Sequence, residues 1–146
     1  MSEQNKAVVR RIIEEHWNRK NPSLVAELFS TNCALSTPDG PLQGQEGASL
    51  LYNAYATAFP DFRVGVDDTI ADGNKVVVRY TFTGTQKGQL AAVPASGRQV
   101  SVQGIVIFRL MGAMVDDVHF VWDKFALLQQ IGALPASGPA AAQVAS

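Results

Sequence analysis

The chain has 146 residues, 47% of them hydrophobic, enough apolar material for one compact domain whose core needs no disulfide or metal staple. Lysine and arginine number 12 against 13 acidic residues, and no basic run exceeds a pair such as Arg10-Arg11, so the electrostatic footprint of a nucleic-acid binder is missing. Cys33 has no second cysteine to pair with, the opening MSEQNKAVVRR is polar and then helical rather than a secretory leader, and no apolar run nears the roughly 20 residues that cross a bilayer. A soluble, cytoplasmic protein is expected.

From about Asn5, Val8, Val9, Ile12, Ile13, His16 and Trp17 recur at helical spacing, opposite Arg10, Arg11, Glu14 and Glu15. Asn21-Pro22 stops that helix and suits the start of a second, with Asn21 as its cap and Leu24, Val25, Leu28 and Phe29 along it. Cys33 to Leu35 is a short candidate strand before the turn-rich Thr37-Pro38-Asp39-Gly40-Pro41. A third helix is predicted from Glu46 to Phe59, ended by Pro60.

Beyond Pro60 the period changes from helical to alternating. Val64 to Ile70 and Val76 to Phe82 flank Asp72-Gly73-Asn74, a hairpin signal. Gly88 to Gly97 reads as a loop or ragged edge. Arg98 to Leu110 is a long strand, with Val100, Val102, Val106 and Phe108 on one face and Ser101, Gln103, Ile105 and Ile107 on the other. A tight connection at Met111-Gly112-Ala113 leads to Val115–Asp123, where His119, Val121 and Asp123 share one face and Val118, Phe120 and Trp122 the other. A closing helix carries Phe125, Leu128 and Gln129 or Ile131 and ends at Gly132. Three N-terminal helices, then about four antiparallel strands and a short helix, make an α+β order in which a curved sheet wraps the helices into a cone. Residues 1–134 form the expected domain, and 135–146 a flexible Ala/Pro/Gly tail.

A cone has a mouth, and small-molecule sites lie in such concavities. Asp123, at the strand-to-helix junction, is either a helix cap or, beside apolar groups that strip its hydration, an acid–base. His119, the second candidate catalytic residue, able to steady charge, shares its face at a spacing of roughly 6 to 7 Å along the strand. Trp17, Tyr52, Tyr55 and Phe59 are candidate pocket walls, with Gln103, Ile105 and Val121 from the last two strands. With two histidines, one cysteine and no nucleotide loop or nucleophile elbow, neither a metal nor a cofactor is expected, and the candidate partner is a small hydrophobic molecule. Apolar residues on both strand faces call for cover on both, which predicts a homodimer.

The segments HWNRKN (His16 to Asn21), AYATAFPDF (Ala54 to Phe62), DDTIADGNKVVVRYTFTGT (Asp67 to Thr85), GIVIFR (Gly104 to Arg109) and the closing VWDKFALLQQIG together resemble the SnoaL-like polyketide cyclase family of the nuclear transport factor two-like superfamily. The resemblance implies an α+β barrel, usually dimeric, around a hydrophobic pocket. It also implies an acid–base aspartate at Asp123 that drives a cofactor-free intramolecular aldol closure, with His119 facing the pocket. The sequence departs from the family at Gln86, where many relatives carry His, at Ala95-Ser96, where Pro-Thr is common, and at Gly112-Ala113, where an Asp-Gly turn is usual. The alternatives are another reaction in the same pocket, of isomerase, epoxide hydrolase or hydroxylase type, or a non-catalytic ligand-binding module.

Overall fold

A computed structural model describes residues 2–134, so the expected tail lies outside the described residues. The first helix (α1, Ser2–Arg11) runs on into a π-helical turn, Ile12–Asn18, and Val9, Ile12, Ile13 and His16 are buried along it. Asn21 does not cap the next helix. Its side chain accepts from the Ser23 backbone N–H at 3.3 Å and from the Ser23 hydroxyl at 2.6 Å, a local turn, and α2 (Leu24–Leu28) begins after Ser23 with no side-chain cap. The candidate strand at Cys33 is longer than expected: β1 covers Phe29–Thr37 and turns at Pro38-Asp39 into β2, Gly40–Gln43. Then come α3 (Gly44–Ala58), β3 (Arg63–Asp72), β4 (Lys75–Thr85), β5 (Gln99–Met111), β6 (Met114–Trp122) and α4 (Lys124–Gln130). The two predicted tight turns hold, with Gly73 and Gly112 at φ of +61° and +63°, a region that glycine enters without Cβ strain.

The sheet is curved, six-stranded and mixed, in the order β2-β1-β6-β5-β4-β3. The expected set of about four antiparallel strands is therefore corrected: β1 pairs with β6 in parallel, with Leu35 opposite Val118 and Ser36 opposite His119. Helices cover one face. Val76, Val78 and Tyr80 of β4, Val102, Val106 and Phe108 of β5, and Val115, Val118 and Phe120 of β6 are buried beneath them in one core. In α4 the buried side chain is Leu127, with Ile131 just beyond, whereas Phe125, expected on the inner stripe, is 59% exposed.

Two polar anchors position the loops. After α3, the Asp61 carboxylate accepts from the Thr85 backbone N–H at 2.7 Å and from its hydroxyl at 2.9 Å, tying the Phe-Pro-Asp turn to the end of β4. These bonds, the backbone one foremost, hold the Asp61 carboxyl below its ordinary range. Gln86, fully buried, accepts from the Ser96 N–H at 3.0 Å and donates to the Val93 carbonyl at 3.4 Å, so its amide clasps the segment between β4 and β5.

Candidate active site

Helices and inner sheet face leave a space between them, a cavity of about 90 Å³. His16 and Trp17 wall it from the first helix, Leu51, Tyr52 and Tyr55 from α3, and Tyr80, Phe82, Phe120 and Trp122 from the strands. The rings pack edge to face and stacked, as their quadrupoles favour: Tyr55 meets Trp122 edge-on at 5.4 Å, and Phe62 stacks on Phe82 at 5.4 Å. Gly104 makes this wall possible. In register it lies between Tyr80 on β4 and Trp122 on β6, and a Cβ there would sit 2.5 Å from the Tyr80 hydroxyl oxygen. A larger residue and the Tyr80 ring cannot share that space.

Polar atoms in the wall are few. His16 is 1% exposed and its Nδ1 lies 3.0 Å from the Asn21 carbonyl oxygen. Since a carbonyl only accepts, Nδ1 carries the hydrogen and Nε2 the lone pair. Asn21 returns the contact, its N–H donating to the carbonyls of Glu15 and His16 at 3.2 Å each, so the π-helical turn and the imidazole lock each other in place. Burial lowers the His16 pKa, against the smaller opposing pull of the Asn21 bond, and keeps the ring neutral at neutral pH. Burial also raises the phenols of Tyr52, Tyr55 and Tyr80, so they stay protonated and act as donors. The Tyr55 hydroxyl donates to Asp39 Oδ2 at 2.9 Å, and Asp39 Oδ1 meets Lys124 Nζ at 2.5 Å. Leu51, Tyr55 and Leu127 border both this cavity and an outer cleft that includes Asp39, Leu90 and Lys124. The indole Nε1–H of Trp122 is buried with no hydrogen-bond partner among the described residues.

Of the residues singled out in the sequence, Trp17, Tyr52 and Tyr55 stand in the cavity wall. Phe59 is fully buried behind it, stacked on Tyr55 at 6.3 Å and edge-on to Phe82 at 5.4 Å, a packing residue rather than a lining one. The remaining candidates do not join them. Gln103, Ile105, His119 and Val121 are exposed on the outer face of β5 and β6, where Ile105 pairs with Val121, so the expectation that His119 faces the pocket is corrected. β6 turns Val118, Phe120 and Trp122 inward, because those are the side chains the helices cover. Asp123 follows the strand, is exposed, and its Oδ1 accepts from the Ala126 N–H at 3.0 Å as the N-cap of α4. Among the polar residues of the wall, His16 and Trp122 were not selected in advance. The sequence signal for His16 was its position on an apolar helix stripe, whereas the inward phase of Trp122 had none. Among the described residues no cluster of His, Cys, Asp and Glu is placed to hold a metal ion.

A curved mixed sheet closed by helices over an aromatic cavity defines a small α+β barrel. The chain belongs to the SnoaL-like polyketide cyclase family, whose model matches residues 7–131. It is similar to a candidate SnoaL-like polyketide cyclase from Jannaschia sp. CCS1, at 26% identity over 92% of this chain and 95% of that one, with a TM-score of 0.85. Its fold is also that of AclR, a candidate hydroxylase from Streptomyces galilaeus (23% identity, 99% and 91% covered, TM-score 0.86). A protein with a ketosteroid isomerase-like fold from Catenulispora acidiphila, solved with trimethylamine, has the same fold (19% identity, 90% and 95% covered, TM-score 0.74). No curated protein matches the chain.

Proposed function

We propose that the chain is a cofactor-free enzyme of the cyclase type, closing a ring by aldol chemistry within a hydrophobic small molecule held in the aromatic cavity. The observation that carries this reading is the cavity itself: apolar walls and a handful of polar atoms, in a member of a cyclase family. Such a wall folds a flexible substrate so that its reacting carbons meet, which is where proximity lowers the barrier. Incubation with a linear aromatic poly-β-ketone, followed by chromatography for a ring-closed isomer of equal mass, tests it. Product formed faster than in buffer supports the enzyme, and absence of both binding and product sinks it.

The resemblance assigns the acid–base role to Asp123, and Asp123→Asn tests that assignment cleanly because asparagine caps a helix as well as aspartate does. Loss of turnover at an unchanged melting temperature gives the carboxylate a chemical role. One observation favours a second reading, a ligand-binding module without catalysis: Asp123 is exposed and engaged as a cap. Binding without turnover on any ketone substrate is the outcome that selects it. The protein is further proposed to work as a homodimer through its outer sheet face, on the exposure of Ile105, Ile107 and Val121.

A further inference from the structure

We propose that His16 is the acid–base of this cavity and that the Trp122 indole N–H binds the substrate's carbonyl oxygen. The inference rests on the small-molecule reading of the cavity and goes beyond it by naming the groups that do the work. Two independent features converge. The first is a buried indole Nε1–H in the wall with no partner among the described residues. An unmet donor in an apolar enclosure is costly, and a ligand oxygen removes that cost. A carbonyl oxygen supplies the lone pair, and an enolate oxygen, being charged, binds more strongly.

The second feature is the His16 ring. Its Nδ1–H is committed to the Asn21 carbonyl at 3.0 Å, which leaves the lone pair on Nε2. Tyr52 stacks on the ring at 4.7 Å and Phe29 meets it edge-on at 6.2 Å, so its orientation is fixed. Among the lining residues the titratable groups are His16, Tyr52, Tyr55 and Tyr80, and the three phenols keep their protons. That leaves the imidazole as the wall group able to take a proton near neutral pH.

The step balances without a co-reactant. The C–H bond next to the carbonyl breaks, its proton goes to Nε2, and its electron pair enters an enolate whose oxygen accepts from Trp122 Nε1–H. The enolate carbon then bonds to a second carbonyl carbon of the same molecule, and the alkoxide so formed takes the proton back from Nε2. The apolar surroundings that disfavour imidazolium hasten that return.

The test uses α-tetralone, an apolar aryl ketone, and follows exchange of its α-protons in deuterium oxide by NMR, with Trp fluorescence as the binding readout. Wild type is expected to accelerate exchange over buffer, with a rate that falls on the acid side as His16 is protonated. His16→Asn keeps an N–H for the Asn21 carbonyl and has no basic nitrogen; it is expected to lose about 100-fold in kcat with little change in KM, and to lose the acid limb. Trp122→Phe keeps the ring and loses the donor, and is expected to slow exchange about 10-fold or more. Should either variant fail to fold, the wild-type protein still decides: ¹⁵N spectra at neutral pH must show the Nδ1–H tautomer of His16, and the Trp122 indole resonance must shift on adding the ketone. An Nε2–H tautomer, an unmoved indole resonance, or full exchange in folded His16→Asn overturns the inference. So does loss of exchange in Asp123→Asn with none in His16→Asn, which moves the base to the rim and leaves the enzyme reading standing. Binding of α-tetralone without exchange overturns the His16 assignment alone, whereas no binding at all removes the cavity reading with it.

Discussion

At Asp123 the carboxylate caps α4, and a pair of substitutions measures that cap. As N-cap it satisfies the Ala126 N–H, so Asp123→Ala is expected to cost about 1 kcal/mol and lower the melting temperature by a few degrees, while Asp123→Asn leaves it in place. Thermal unfolding of the two variants side by side checks this, and equal losses would mean that the cap contributes nothing special. His16 carries a second residue-scale expectation, in pH. Its folded-state pKa lies below the unfolded one, so below about pH 6.5 the unfolded chain binds a proton that the folded chain resists. Stability should therefore fall as pH drops from about 6.5 toward the folded pKa, and the fall should be shallower in His16→Asn. Urea unfolding at pH 7.5 and pH 5, wild type against variant, measures the difference; parallel curves would remove His16 from the acid response.

On the scale of elements, the row Tyr80–Gly104–Trp122 across β4, β5 and β6 sets the cavity's shape. Gly104→Ala drives a methyl into the Tyr80 ring, which overpacks the wall and is expected to cost about 1–3 kcal/mol with loss of ligand binding. Denaturation and binding measured together check it; a stable variant with unchanged affinity would show that Tyr80 has room to move. Much of this architecture was legible beforehand, because local signals specify it. Val9, Ile12, Ile13 and His16 mark a helix by spacing, Asp72-Gly73-Asn74 marks a hairpin, and Trp17, Tyr52 and Tyr55 mark a wall by size and position. Two things were not legible. The β1–β6 pairing joins Leu35 to Val118 across most of the chain, and no local pattern encodes so distant a partner. The phase of β6 also failed, since alternation says that His119 and Phe120 face opposite ways without saying which way is in. Apolar residues on both faces removed the usual polar clue, and only the helices' cover, a tertiary fact, turned Phe120 and Trp122 toward the cavity.

For the molecule as a whole, the outer sheet face is the apolar surface left exposed among the described residues. On it Ile105 lies opposite Val121 and Ile107 between Val77 and His119, with exposures of 45% for Ile105, 64% for Val121 and 37% for Ile107. Contiguous β-branched side chains on a sheet face are the surface another such face covers well, and soluble chains seldom leave them to water. The proposed homodimer covers this face through a two-fold axis, since each patch then meets itself. The charged pair Arg79–Asp67, next to Ile105 in register, is expected at the rim, where ion pairs set orientation more than affinity. Sedimentation at micromolar concentration should therefore report a dimer. Ile105→Glu, which places a carboxylate at the centre of the patch on both subunits, should shift it to monomer with an unchanged circular dichroism spectrum, because the residue does not touch the core. A wild-type chain that sediments as a clean monomer sinks the dimer, and a dimer that survives Ile105→Glu places the interface elsewhere than on this face.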